Sequence, residues 1–205
     1  MLPRSAPRSR LLRGHVHTAS LHPAGAGVRR PAAPRLRQWL AAPGSLTARL
    51  RLHGAVSVVV LDQGTRKLWP QERRALGCTV GHVREVVLQI DGRAAVWARS
   101  TVSVRAVKGP WRAIRGLGTR PLAELLFSHH AVQRGPLFGL VLPSGGPAHR
   151  HLSRQWQRIS PVSKALPHTT APRWARHSLF RHHGQPLQVL EAFAPWVSKL
   201  SCIAR

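Results

Sequence analysis

Acidic residues are scarce in this chain, in which six Asp and Glu stand against 32 Lys and Arg, a formal net charge of +26. Residues 1–61 contain no acid, and neither do residues 125–190. This surplus favours anionic partners and predicts a salt-sensitive, nonspecific attraction to nucleic acid. The arginines are scattered along the chain rather than gathered into one stripe, so the charge describes what the protein attracts and does not indicate a function.

Cysteines and long apolar runs are also few. Cys78 and Cys202 are the only cysteines, and their separation suits neither a zinc site nor a disulfide framework, which indicates a reducing compartment. No run of about 18 apolar residues predicts a transmembrane helix, and no apolar block follows the first arginines, as a secretory signal requires. We therefore expect a cytoplasmic protein. The alternative is that the Arg-rich leader is an organellar transit peptide.

Thirteen histidines raise the question of a metal site. No Cys or carboxylate stands near them in the sequence to complete a set of ligands, and adjacent histidines on a strand point to opposite faces. We therefore expect no bound metal. The histidines in question are the pairs His129-His130, His149/His151 and His182-His183.

Shifts in composition predict the domain organisation. Residues 1–34 are rich in Arg, Pro, Ala, Gly and Ser without a hydrophobic period, which predicts a disordered basic arm. Residues 35–196 form the predicted domain, and residues 143–172, with many prolines and scattered bases, predict a long, poorly ordered loop inside it. Residues 197–205 follow as a tail.

Most of the domain has the pattern of β-strands joined by tight turns. Asp91-Gly92 between two β-rich runs predicts a hairpin, and a turn at His183-Gly184-Gln185 separates the last two strands. Helical spacing predicts a helix in LRQWL, and Ser45 is suited to cap a short turn. The fold class predicted is α+β, a mainly antiparallel β-sheet with short helices packed on it. Further predictions are a strand in HGAVSVVVLDQG, two short helical pieces in GPWRAIRGLG and TRPLAELLF, and a strand at residues 136–142.

Two charged residues share strand faces that are otherwise apolar. Residues two apart in a strand point to the same side. Arg84 therefore lies on the face of Val86, Leu88 and Ile90, and Glu191 lies on the face of Leu187, Val189 and Phe193. A buried ion needs a counter-ion, a ligand or hydrogen bonds, because burial without them costs several kcal/mol.

Two interpretations of these charges remain open at this point. In the first, Arg84 and Glu191 simply pair with each other across the core. In the second, the arginine fork grips a ligand carboxylate and Glu191 accepts a hydrogen bond from a hydroxyl at the far end of the ligand. A benzoate with a para hydroxyl is a ligand of that kind.

Four motifs follow one another along the chain: GSLTARL, REVVLQIDGRAAVWARSTVSV, GPWRAIRGLGTRPLAELLF and FRHHGQPLQVLEAFAP. Together and in this order they resemble the chorismate–pyruvate lyases of ubiquinone biosynthesis. The resemblance covers roughly residues 36–142 and 173–196, and the LG-T-PL-LLF run is its most specific piece. It implies a sheet covered by helices, a ligand cavity enclosed by flap-like segments, and the cleavage of chorismate to 4-hydroxybenzoate and pyruvate without any cofactor.

The resemblance also implies roles for five residues. Arg84 matches the arginine that binds the ring carboxylate of the substrate, and Glu191 matches the carboxylate that faces the 4-hydroxyl; these two are the candidate catalytic residues. Leu46 and Leu122 match positions whose backbone amides help to hold the ring carboxylate. Arg99 matches an arginine that could meet the enolpyruvyl carboxylate, although it points to the opposite face of the strand from Val96 and Ala98.

Two other classes of protein remain possible. One is a non-catalytic small-molecule sensor of the same fold, which normally follows a helix-turn-helix module that the Pro-rich start of this chain does not suit. The other is a basic nucleic-acid-binding protein, for which Trp156 and Trp174 in the basic region could stack on bases. For the lyase we expect a monomer with chorismate as its small-molecule partner.

Overall fold

Six antiparallel strands form a sheet with short helices packed on it in this computed structural model, which describes residues 32–128, 130–159 and 170–202. The strands run in the order β1-β2-β3-β6-β5-β4, and each neighbouring pair is antiparallel. The predicted α+β class with an antiparallel sheet is confirmed. The strands are β1 (Val56–Lys67), β2 (Val80–Ile90), β3 (Arg93–Ser103), β4 (Val132–Val141), β5 (Trp174–His182) and β6 (Gln185–Phe193).

Both predicted hairpin turns are present. Asp91 and Gly92 have φ angles of 48° and 77°, and His183 and Gly184 have φ angles of 47° and 74°. Two successive residues with positive φ give a turn whose twist matches that of the flanking strands. Asp91 is held in this conformation because its Oδ1 accepts a hydrogen bond of 2.8 Å from the backbone N–H of Ala55.

Six helices and three 3-10 turns cover the sheet within the described residues. The helix predicted in LRQWL and the cap predicted at Ser45 are confirmed, since the Ser45 Oγ accepts from the Ala48 N–H at 3.2 Å. The helices are α1 (Pro34–Ala41), α2 (Leu46–Leu50), α3 (Pro70–Leu76), α4 (Val104–Lys108), α5 (Leu122–Ser128) and α6 (Pro147–Ile159), and the 3-10 turns are Arg51–His53, Arg112–Gly116 and Pro195–Lys199.

The prediction of a poorly ordered loop over residues 143–172 is wrong for α6. Leu152 and Trp156 lie four residues apart on one face of this helix and are 0% and 1% exposed. Their packing against the sheet stabilises a helix whose other face is basic. Trp156 is therefore a core residue and not a platform for stacking bases. Residues 160–169 of the predicted loop lie outside the described residues.

The packed domain is longer than the predicted 35–196 at its carboxyl end. Val197 is fully buried and Cys202 is 5% exposed, while the Trp196 indole N–H donates to the Ala94 carbonyl at 2.8 Å. Of the predicted arm, residues 1–31 lie outside the described residues, and the chain is already packed at Ala32, which is 6% exposed. Over the stretches that the structure describes, none of the helices is long and apolar enough to cross a membrane.

Candidate functional site

A cavity lies between one face of the sheet and the segments that contain α2 and α5. Its floor comes from alternate residues of β1, β2, β3, β5 and β6, and its wall includes Leu46 of α2 and Leu122 and Leu126 of α5. Most of the lining is apolar. Of the lining residues, four carry a charge: Arg84, Arg134, Arg176 and Glu191.

The cavity brings together four of the five residues singled out from the sequence. Arg84, Glu191, Leu46 and Leu122 all line it. Arg84 stands opposite Ser100 of β3, and Glu191 stands opposite Ala98 of the same strand, so the two charged side chains project from strands on either side of β3. The strands β2 and β6 are separated by two strand spacings of about 4.8 Å each, which leaves room for a single ring between the two charged side chains.

Arg84 is 2% exposed, and the segment that precedes α5 holds its side chain. Its Nη2 donates to the carbonyl oxygens of Gly118 at 2.8 Å and Arg120 at 3.1 Å. Its Nε has no hydrogen-bond partner although it is buried. Burial lowers the pKa of the Arg84 guanidinium from its ordinary value, because desolvation disfavours the charged form. A carboxylate in the cavity would satisfy the unused donor and the charge together.

Glu191 has a different partner from the one considered in the sequence. Its Oε2 accepts from the Nε of Arg176 at 2.6 Å. Arg176 is 1% exposed and also donates to the carbonyl oxygens of Trp39 at 3.0 Å and Ala42 at 2.9 Å. The interpretation in which Arg84 and Glu191 pair with each other is therefore wrong.

Two cavity arginines were missed in the sequence. Arg176 lies on the same face of β5 as Ser178 and Phe180, and this two-residue period could be read from the sequence. Its pairing with Glu191, however, depends on the register between β5 and β6. Arg134 stands on β4 just before a register shift. Burial, and then the nearby Arg176, lower the pKa of Arg134 from its ordinary value, while Glu191 acts in the opposite direction.

Arg99 lies on the other face of the sheet and does not line the cavity, so the structure does not bring it together with the other predicted site residues. It stands directly opposite Glu85, whereas its neighbour Ser100 stands opposite Arg84 and lines the cavity. Because side chains alternate between faces, Arg84 and Arg99 point to opposite sides. The register shift in this hairpin lies between Leu88 and Gln89, beyond the Glu85–Arg99 pair, and leaves that alternation unchanged.

A buried ion cluster surrounds Arg99 instead. Its Nε donates to Glu72 of α3 at 2.6 Å and its Nη1 donates to Glu85 of β2 at 2.5 Å. The second oxygen of Glu85 contacts His151 Nε2 of α6 at 2.8 Å, and the Arg99 guanidinium lies 4.0 Å from the centre of the Trp69 ring. Burial by itself lowers the pKa of Arg99, but the two carboxylates raise it above its ordinary value. We name Arg99, Glu72, Glu85 and His151 the Arg99 cluster.

No group of three or more His, Cys, Asp or Glu side chains is placed to hold a metal ion within residues 32–128, 130–159 and 170–202. His129 of the pair considered above lies outside these ranges. The charged groups that line the cavity are three guanidinium groups and one carboxylate, on a mostly apolar background.

Fold and cavity together define an α+β protein with an arginine-rich internal site. Comparison with known families extends this description, since the model of the family described as Chorismate lyase matches residues 30–200. The chain belongs to the chorismate lyase family, and the family resemblance stated from the sequence is confirmed.

Two relatives of more than 40% identity agree with the family match. The chain is 44% identical over 168 residues to a probable chorismate pyruvate-lyase of Albidiferax ferrireducens, covering 78% of this chain and 83% of that protein. It is 43% identical over 171 residues to a probable chorismate pyruvate-lyase of Azoarcus sp., covering 81% and 87%. Among solved structures, the effector domain of PhnF from Mycobacterium smegmatis matches with a TM-score of 0.47 at 13% identity, over 74% of this chain and 89% of that one.

Proposed function

We propose that this chain is a chorismate–pyruvate lyase that eliminates pyruvate from chorismate and releases 4-hydroxybenzoate. The observation that carries the proposal is the pair of charged groups in one cavity, Arg84 with an unused buried donor and Glu191 fixed by Arg176. A ring with a carboxylate at one end and a hydroxyl at the other satisfies both. On the same resemblance, we propose that the product serves ubiquinone biosynthesis.

Arg84 and two backbone segments hold the ring carboxylate in this proposal. Leu46 and Leu122 are the first residues of α2 and α5, and both line the cavity. The N–H groups of a first helical turn have no partner within the helix, so they are available to a ligand oxygen. The fork of Arg84 adds charge-assisted hydrogen bonds to the same carboxylate.

Glu191 orients the opposite end of the ring by accepting a hydrogen bond from the 4-hydroxyl. The bond to Arg176 fixes the position of its carboxylate. The reaction breaks the C4–H bond and the bond between the ring and the enolpyruvyl oxygen, and the enolpyruvate that leaves becomes pyruvate when it gains a proton. The ring becomes aromatic, so the protein has mainly to orient the side chain and stabilise charge on the departing oxygen.

The direct test is incubation of the purified protein with chorismate in the presence of a chelator. We expect 4-hydroxybenzoate and pyruvate in equal amounts, measured by chromatography and by a coupled pyruvate assay. A reaction without protein corrects for spontaneous decay of chorismate. Product at no more than the rate without protein would contradict the proposed activity.

A further inference from the structure

The cavity holds more positive charge than its own carboxylate can neutralise. Of its charged lining residues, Arg176 is bound to Glu191 and to two carbonyl oxygens. Arg84 and Arg134 have no carboxylate partner among the described residues. Arg84 is buried and Arg134 is partly buried. Burial makes a guanidinium group without a counter-ion costly, and a ligand carboxylate lowers that cost. Two such arginines in one cavity match a ligand with two carboxylates.

Arg134 has the same unsatisfied donor as Arg84. Its Nη1 donates to the Gly44 carbonyl at 3.1 Å, and its guanidinium lies 5.3 Å from the centre of the Phe180 ring. These contacts hold the side chain against the segment that leads into α2 and against β5. Its Nε is buried and has no partner. The fork is therefore positioned with a donor left for a further acceptor.

An interruption of β4 lies directly after Arg134. The pairing with β5 shifts between Arg134 and Leu137, across Gly135 and Pro136. A Cβ at Gly135 would lie 3.1 Å from the Leu179 carbonyl oxygen, so a side chain there would force β5 to move. Bulges of this kind redirect side chains and occur often beside functional sites. Here the interruption accompanies an arginine that lines the cavity from an edge strand.

We propose that Arg134 binds the second carboxylate of the substrate, the one carried on its ether side chain. This rests on the proposed function, which supplies a substrate with a ring carboxylate for Arg84 and a side-chain carboxylate besides. Arg176 already has a carboxylate partner in Glu191, and Arg99 lies on the other face of the sheet. Arg134 is then a specificity-determining residue that separates the dianionic substrate from the monoanionic product.

Two unreactive ligands that differ by one carboxylate test this role. They are 4-hydroxybenzoate and 3-(carboxymethoxy)-4-hydroxybenzoate, and their dissociation constants are measured by calorimetry on the full chain. Arg134→Met is expected to weaken binding of the dicarboxylate by about 10- to 100-fold, the range for a hydrogen bond to a charged group. Binding of 4-hydroxybenzoate is expected to change less than about threefold.

Controls separate a direct contact from a change of fold or of overall charge. Arg134→Gln removes the charge and shortens the side chain while keeping it polar, and is expected to show the same selective loss. Arg181→Met removes an exposed positive charge from β5 and is expected to leave both affinities unchanged. Circular dichroism melting shows which variants are folded, and the Gln variant decides the question if the Met variant does not fold.

Each outcome distinguishes this inference from the proposed activity. An equal loss for both ligands, or no loss for either, in a folded Arg134 variant would overturn the inference. Normal binding by the wild type without turnover of chorismate would contradict only the lyase activity. If the wild-type protein binds neither ligand, the inference fails together with the proposed class of substrate.

Discussion

The two faces of the sheet treat buried charge in opposite ways. On the cavity face, three arginines accompany one carboxylate, which pairs with Arg176 alone, and the other two arginines keep a buried Nε without a partner. On the other face, the single guanidinium of Arg99 is shared by two carboxylates, one of which also contacts His151. We call the cavity face incomplete, because two of its guanidinium groups have no carboxylate partner. We call the other face complete, because Arg99, Glu72 and Glu85 each have a partner of opposite charge.

This difference in pairing separates the proposed ligand site from the other face of the sheet, whereas burial and charge alone do not. Arg84 and Arg99 are 2% and 4% exposed, and both belong to family motifs, yet only Arg84 faces the cavity. The chain has only six acidic residues, and it places Glu72 and Glu85 beside Arg99. A protein with so few carboxylates that leaves two cavity arginines without one has a site that suits an anionic ligand.

The largest effect is expected on stability, from removing Arg99, the cation of the complete face. Arg99→Met leaves Glu72 and Glu85 buried without their cation, so we expect the free energy of unfolding to fall by about 3–5 kcal/mol. Urea denaturation followed by circular dichroism measures this change. Binding of 4-hydroxybenzoate to the folded variant is expected to stay within about twofold of the wild type, because Arg99 points away from the cavity. A folded variant of wild-type stability that has lost ligand binding would place Arg99 in the site instead.

Next in size is the effect of Arg84→Ala on the incomplete face. In the proposed function Arg84 holds the ring carboxylate, so its loss is expected to lower kcat/KM for chorismate and the affinity for 4-hydroxybenzoate by on the order of 100-fold or more. Steady-state kinetics and calorimetry measure these losses. The melting temperature is expected to change little, because the variant also removes an incompletely satisfied buried charge. Near-normal binding of 4-hydroxybenzoate would show that Arg84 is only a structural residue.

A smaller effect is expected from Glu191→Gln. The change keeps the shape of the side chain but replaces a charged acceptor with a neutral one, so the preference for 4-hydroxybenzoate over benzoate is expected to fall by about fivefold. Titration of both ligands against wild type and variant gives this ratio, with benzoate as the internal control for damage to the rest of the site. An unchanged ratio would mean that the hydroxyl does not contact Glu191.

The smallest effect is expected from removing residues 1–31. The described residues of both faces begin at Ala32, and on this basis the truncated protein is expected to keep kcat/KM within about twofold of the full chain. Parallel kinetic assays of the two proteins at equal ionic strength provide the measurement. A collapse of the rate would show that the basic segment contributes to the cavity face.

Local signals in the sequence predicted the local parts of the fold. Asp91-Gly92 and His183-Gly184 specified their hairpins because their turn conformations depend on few neighbouring residues. The cap at Ser45 was equally local. The helix α6 was overlooked because prolines and bases dominate residues 143–172, although Leu152 and Trp156 already stood at helical spacing. Its stability comes from tertiary packing, which the flanking composition conceals.

The site was predictable where it depends on alternation and not where it depends on register. Counting residues two at a time put Arg84 and Glu191 on the face that lines the cavity. The bond between Glu191 and Arg176 depends on which residues of β5 and β6 stand opposite each other. Arg134 reaches the cavity from β4, beyond a register shift that no short-range pattern reveals.

The strand order gives the cavity a mechanical role in the molecule. The first three strands form one meander and the last three form another, and the two meanders meet where β3 pairs with β6. Arg84 belongs to the first meander, while Glu191, Arg176 and Arg134 belong to the second. A ligand that contacts Arg84 at one end and Glu191 at the other spans this seam and acts as a noncovalent cross-link between the meanders. We therefore expect occupancy to resist their separation, so that amide hydrogens along β3 and β6 exchange more slowly as the concentration of ligand rises above its Kd.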